Sequence, residues 1–165
     1  MTIVGWVLTG AAGPAGNAAY DLVLLAHVLS ALVGFGAVAV AGLYALAFER
    51  SSPPTEAVRR YYRPGVNWAG RVIYLVPAFG AVLIAMSHGD WSYADHWVAL
   101  GLGLWGVAAV MAEVALWPAE RRLQAVVADP TSATDLRSQC RWVAFIAASL
   151  LIVLVVASVV MVAKP

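Results

Sequence analysis

The 165 residues include a single cysteine, Cys140. That excludes a disulfide framework or a thiolate metal cluster within one chain, and beside Arg141 it reads as an ordinary thiol. No basic residue precedes Arg50, so the N-terminus lacks the charged region that a secretory signal peptide needs. Charge is scarce throughout, 12% of residues against 62% hydrophobic. Too few polar side chains remain to cover one water-soluble core. With a net charge of +1, no global field favours nucleic acid or an acidic substrate. There is no Gly-Lys-Ser/Thr phosphate loop, no serine elbow and no His-Glu-x-x-His zinc motif. Internal repeats and low-complexity segments are also missing.

What remains is a series of long apolar runs with the charges gathered into the links between them. The runs are continuous rather than alternating, which argues against transmembrane β-strands and for helices. The expected fold is all-α: a polytopic, four-transmembrane-helix bundle with spans at about 20–48, 66–87, 97–117 and 142–163. Residues 1–19 start apolar and then break at glycine, proline and asparagine. Too short to cross a bilayer, they read as a segment lying on the membrane surface with Trp6 at headgroup depth, or as a cover for a partner subunit.

Eight of the ten basic residues fall in the first and third links, among them Arg59, Arg60, Arg63, Arg121 and Arg122, and none in the second. The positive-inside rule then puts those two links in the cytoplasm and both termini outside, in a cell membrane, expected to be the bacterial inner membrane. Tyr61, Tyr62, Trp68, Trp117 and Trp142 would form the aromatic belt on the arginine-rich side, and Trp91, Tyr93 and Trp97 the opposite one. The five arginines named above are positioned for lipid headgroups.

Two spans carry one ionisable residue each, Arg71 and Glu113. At ~1.5 Å per residue both lie roughly 6–8 Å inside the same boundary, which suggests an ion pair. Such a pair can be structural, or can mark a function, because unpaired charge is costly in lipid; the structural reading is favoured. Glu113 shares a helical stripe with Ala99, Gly106 and Ala109 and is expected to face a neighbouring helix. His27 sits on a small-residue stripe with Ala31, Gly34, Ala41 and Ala45, and so faces protein. His88 and His96 flank the second link. Imidazoles could hold haem iron or copper, but His27 reads as deeper than the other two. An interhelical hydrogen bond is its plainer role. The glycines lie within helices and suit close packing better than a nucleotide loop.

Three stretches also carry a family likeness: HVLSALVGFGA in the first span, Trp117-Pro118 followed by Glu120-Arg121-Arg122-Leu123 after the third, and the ending VVMVAKP with Trp142 heading the last span. Together they resemble the predicted integral membrane proteins of domain-of-unknown-function family 2269, over most of residues 20–165. The resemblance implies a four-helix membrane protein and carries no activity. The first helix is also similar to copper-transport and protoporphyrinogen-oxidase-type membrane families, which implies a metal or haem role for its histidine. Three functions follow as expectations. The first is a non-catalytic accessory or scaffolding subunit of a larger respiratory or transport complex, contacting lipid and other membrane subunits. The second is a haem- or copper-binding protein using His27, and the third an oligomeric carrier or channel with Arg71 and Glu113 on a polar path. No catalytic constellation favours an enzyme.

Overall fold

The computed structural model describes residues 18–51, 53–129 and 135–164. The expected surface segment 1–19 lies outside them, save for its last two residues. The described residues form five helices and no strand: α1, Ala18–Arg50; α2, Glu56–Tyr61; α3, Trp68–Met86; α4, His96–Ala128; and α5, Leu136–Ala163. Four of them, α1, α3, α4 and α5, are long and apolar enough to cross a membrane.

Local chemistry fixes where the helices start. Pro53-Pro54 ends the first stretch, and Thr55 then caps α2 by accepting from the Val58 amide at 3.4 Å. Asn67 caps α3 through the Gly70 amide at 3.3 Å, and Asp135 caps α5 through the Ser138 amide at 3.2 Å. At the far end, His88 (φ 54°) and Lys164 (φ 45°) adopt the left-handed conformation that terminates a helix.

Small residues then bring the helices together. A Cβ on Gly42 would lie 3.0 Å from Ala147 Cβ, and one on Gly34 would lie 3.2 Å from the Ile73 backbone. Thus α1 packs tightly on α3 through Gly34, on the stripe that carries His27, and on α5 through Gly42. α5 packs in turn on α4, where Met161 fills the space beside Gly101. The backbones of α3 and α4, by contrast, scarcely approach each other. The bundle is a ring of α3, α1, α5 and α4 with one loose seam, bridged by long side chains. Leu22, Leu43, Ile152 and Val162 are more than half exposed on the outside. Such a surface is untenable in water and is what lipid contact requires.

Three expectations change. The third span does not stop at Trp117 but continues unbroken to Ala128, so Arg121 and Arg122 ride on a helix rather than in a link. At ~1.5 Å per residue, α4 is about 50 Å long, more than a ~30 Å hydrocarbon core requires. Trp117 and Tyr62 leave the predicted belt. They are 5% and 1% exposed and belong to the core of the arginine-rich half, along with Cys140, Leu116 and Leu123. Trp68 and Trp142, 75% and 51% exposed, stay on the surface.

Candidate functional site

Arg71, Tyr74, Trp105 and Glu113 meet across the α3–α4 seam. On α3, a 3₁₀ turn at Val72–Tyr74 precedes Pro77. Proline has no amide hydrogen, so the Ile73 carbonyl four residues back loses its helical donor. The indole Nε1 of Trp105 on α4 supplies one instead, at 3.1 Å. Trp105 is thus fastened across the seam by a carbonyl that lacks its i+4 donor and that the Leu75 amide approaches within the 3₁₀ turn.

On α4, Pro118 has the mirror consequence. A regular helix would press its ring onto the Val114 carbonyl. The chain widens to a π turn over Ala112–Leu116, in which the Trp117 amide donates to the Ala112 carbonyl. Glu113 lies inside this turn. The Arg71 Nη1 donates to Glu113 Oε1 at 2.9 Å, and the Tyr74 hydroxyl donates to the same oxygen at 2.6 Å. The Arg71 guanidinium also stacks on Trp117, 3.5 Å from the ring centroid. Arg71 and Tyr74 share one face of α3 by their i, i+3 spacing, and so reach Glu113 together.

Sequence reasoning paired Arg71 with Glu113 and expected Glu113 to face a neighbouring helix, as it does toward α3, but it missed Tyr74. Glu113 meets α3 through Arg71 and Tyr74, yet the stripe it shares with Ala99, Gly106 and Ala109 keeps an open side. The Glu113 side chain remains 47% exposed and that of Arg71 29%. Nothing lies within 4 Å of a Cβ placed on Gly106. Both bonds that Glu113 accepts go to Oε1; among the described residues Oε2 has no partner.

Two turns further along α4, Glu120 is 5% exposed, which sequence reasoning also missed by treating the segment as a loop. Its Oε1 accepts from the Tyr61 hydroxyl at 3.1 Å, and that hydroxyl accepts from Asn67 Nδ2 at 3.3 Å. Tyr61 stacks on Tyr44 with ring centroids 4.4 Å apart. Burial, and after it the Glu120 charge, push the Tyr61 phenol above its ordinary value, and burial does the same to Tyr62. Both remain protonated, as donors, through the physiological range. A cleft of about 50 Å³ beside them, wide enough for water, is lined by Asn67, Arg71, Trp117, Glu120, Arg121 and Gln124. It lies between Arg71, the partner of Glu113, and Glu120.

The remaining sequence candidates are dispersed. His27 Nδ1 lies 2.8 Å from the Val76 carbonyl, and its ring lies against Gly80. This is the expected interhelical bond. A carbonyl only accepts, so Nδ1 carries the proton and a neutral ring keeps its lone pair on Nε2. His88 and His96 are exposed, as are Arg59, Arg60, Arg63, Arg121 and Arg122. No three His, Cys, Asp or Glu groups among the described residues converge as a metal site. At the opposite end, the Lys164 ammonium lies 4.3 Å from the Trp91 ring centroid and 5.3 Å from that of Trp97, tying the end of α5 to the α3–α4 link.

The chain has no match among protein-family models, curated proteins or solved structures.

Proposed function

We propose that the chain is a non-catalytic accessory subunit of a larger membrane assembly, a helix bundle that offers its α3–α4 flank to other membrane-embedded helices. The observation that carries this reading is the outward Glu113 carboxylate, held at about 26 Å along α4 from His96 by the ~1.5 Å rise. That depth is just inside a ~30 Å hydrocarbon core. A half-exposed carboxylate there, on a stripe of alanine and glycine, is costly in lipid and well suited to an incoming helix that brings a donor. In this reading the arginine-rich links face the cytoplasm of a bacterial inner membrane, both termini lie outside, and the family likeness to domain-of-unknown-function family 2269 holds. The test is purification from native membranes in gentle detergent, followed by mass spectrometry. Wild-type chain is expected to bring down a distinct membrane protein, and Glu113→Leu, which lowers folded yield, to lose it when equal amounts of folded protein are compared. Identical recovery from both would contradict the reading.

A second reading has one observation of its own. The Val76 carbonyl fixes the His27 ring and its Nδ1 proton, an arrangement typical of a histidine whose Nε2 binds metal. His27 would supply a single axial ligand to a haem. Copper held by side chains alone fits less well, because no cluster of donors surrounds His27 among the described residues. An absorption spectrum with metal analysis of the purified protein decides it: loss of a Soret band in His27→Ala would support this reading, and a wild-type spectrum without one would remove it.

A further inference from the structure

The flank proposed above as a docking face has a property that identifies an occupant. Arg71 and Glu113 stand side by side on neighbouring helices, at one depth, and both are partly exposed. Rotating such a patch by 180° about the membrane normal and facing it with itself brings each arginine opposite a glutamate. A patch holding both signs at equal depth is therefore complementary to its own copy, which is the condition for an isologous interface. We infer that the occupant of the α3–α4 seam is a second copy of this chain, in a two-fold dimer in which each Arg71 pairs with the partner's Glu113.

The hydrogen-bonding capacity suits this arrangement. Within one chain Arg71 uses Nη1 on Glu113 Oε1, and Oε2 has no partner among the described residues. A guanidinium has five N–H donors and a carboxylate accepts at both oxygens. The internal bond can therefore persist while Arg71 donates from its remaining N–H groups to the partner's Oε2. The result is a closed ring of four alternating charges, in which no charge is left unpaired in the membrane. The backbones can also come close. On α4 the stripe in register with Glu113 is small at Ala99, Gly106 and Ala109, and Gly106 is open. On α3, Ala78 and Ala85 lie in register with Arg71 and are small.

Charge exchange tests the dimer without dismantling the fold. In the double variant Arg71→Glu with Glu113→Arg, the pair within each chain is kept with its sense reversed. Two copies of the variant still match across the two-fold axis. A wild-type copy facing a variant copy sets arginine against arginine and glutamate against glutamate. Co-expression with two different tags should capture wild type with wild type and variant with variant, and should lower mixed capture at least ~tenfold, because juxtaposed like charges strongly disfavour a wrong pairing. Mixed capture at the level of the matched pairs would overturn the dimer, as would a wild-type chain that is monomeric in lipid. Should the double variant fold poorly, disulfide trapping decides. Gly106→Cys should give a covalent dimer on oxidation and Val159→Cys, on exposed α5, should not. Equal trapping at both sites, or none at either, would overturn it. The inference rests on the docking reading but can fail separately. A monomer that still holds a different membrane protein would sink the dimer and keep that reading. A flank that meets lipid alone would sink both.

Discussion

Glu113 accepts two hydrogen bonds on one oxygen, from Arg71 and from Tyr74, and the consequences of that crowding can be measured. Glu113→Gln leaves Arg71 without its counter-charge and should lower folded yield and thermal midpoint in detergent. Adding Arg71→Gln should recover part of the loss, because no unpaired charge then remains. Equal values for single and double variants would show the two residues to be uncoupled. Trp105 gives a second residue-scale test. Its indole satisfies the Ile73 carbonyl that Pro77 strands, so Trp105→Phe should cost about 1 kcal/mol, the usual net worth of a neutral hydrogen bond. In a Pro77→Ala background the helix provides its own donor, and the same substitution should cost measurably less. The ion pair was legible in the sequence, because two opposite charges isolated at one depth in lipid are each too costly to stand apart. Tyr74 was also within reach, standing three residues after Arg71 and hence on its face. The link from Pro77 to Trp105 was not, because it depends on which helix lies across the seam.

At the scale of elements, close approach is set by glycine. Gly42 and Gly36 both lie in α1, but a Cβ on Gly42 meets Ala147 at 3.0 Å and one on Gly36 meets nothing within 4 Å. Gly42→Val should therefore push α1 off α5 at a cost of ~1–3 kcal/mol, as overpacking does, and Gly36→Val should be tolerated; thermal unfolding in detergent compares them. Helix α2 docks by its tyrosines. Tyr61 bonds Glu120 and Tyr62 reaches the Ala41 carbonyl at 3.4 Å. Because the folded phenols sit above the unfolded value of about 10, folding favours their protonated form. Their contribution is complete below pH ~10 and declines as pH rises beyond it. Alkaline titration followed by tyrosinate absorbance should show α2 released above that pH, and Tyr61→Phe should weaken the dependence. The four spans were readable because apolar runs of that length have one physical solution. The end of the third was not. Proline after tryptophan normally ends a helix, but here a π turn absorbs it and α4 continues. The signal lay downstream, where Ala119, Leu123 and Val126 recur at helical spacing and are all buried.

For the molecule as a whole, the bundle is closed on three sides by small-residue contacts and bridged by side chains on the fourth. The stripe of Ala99, Gly106, Ala109 and Glu113 has the spacing of a helix-contact face, and that much was legible in advance. Periodicity is silent on whose helix covers such a face, and in the folded chain α3 reaches it at Glu113 through Arg71 and Tyr74 and leaves Gly106 open. Polar chemistry gathers at that open side and at the arginine-rich end, so the central question is what occupies the α3–α4 flank in a membrane. A photocrosslinker introduced as Ala109→p-benzoylphenylalanine and activated in native membranes measures this directly. A docking flank predicts discrete protein adducts, at the mass of a second copy or of another membrane protein, that vanish when Glu113→Leu is combined with it. Adducts to lipid alone, unchanged by that substitution, would contradict it.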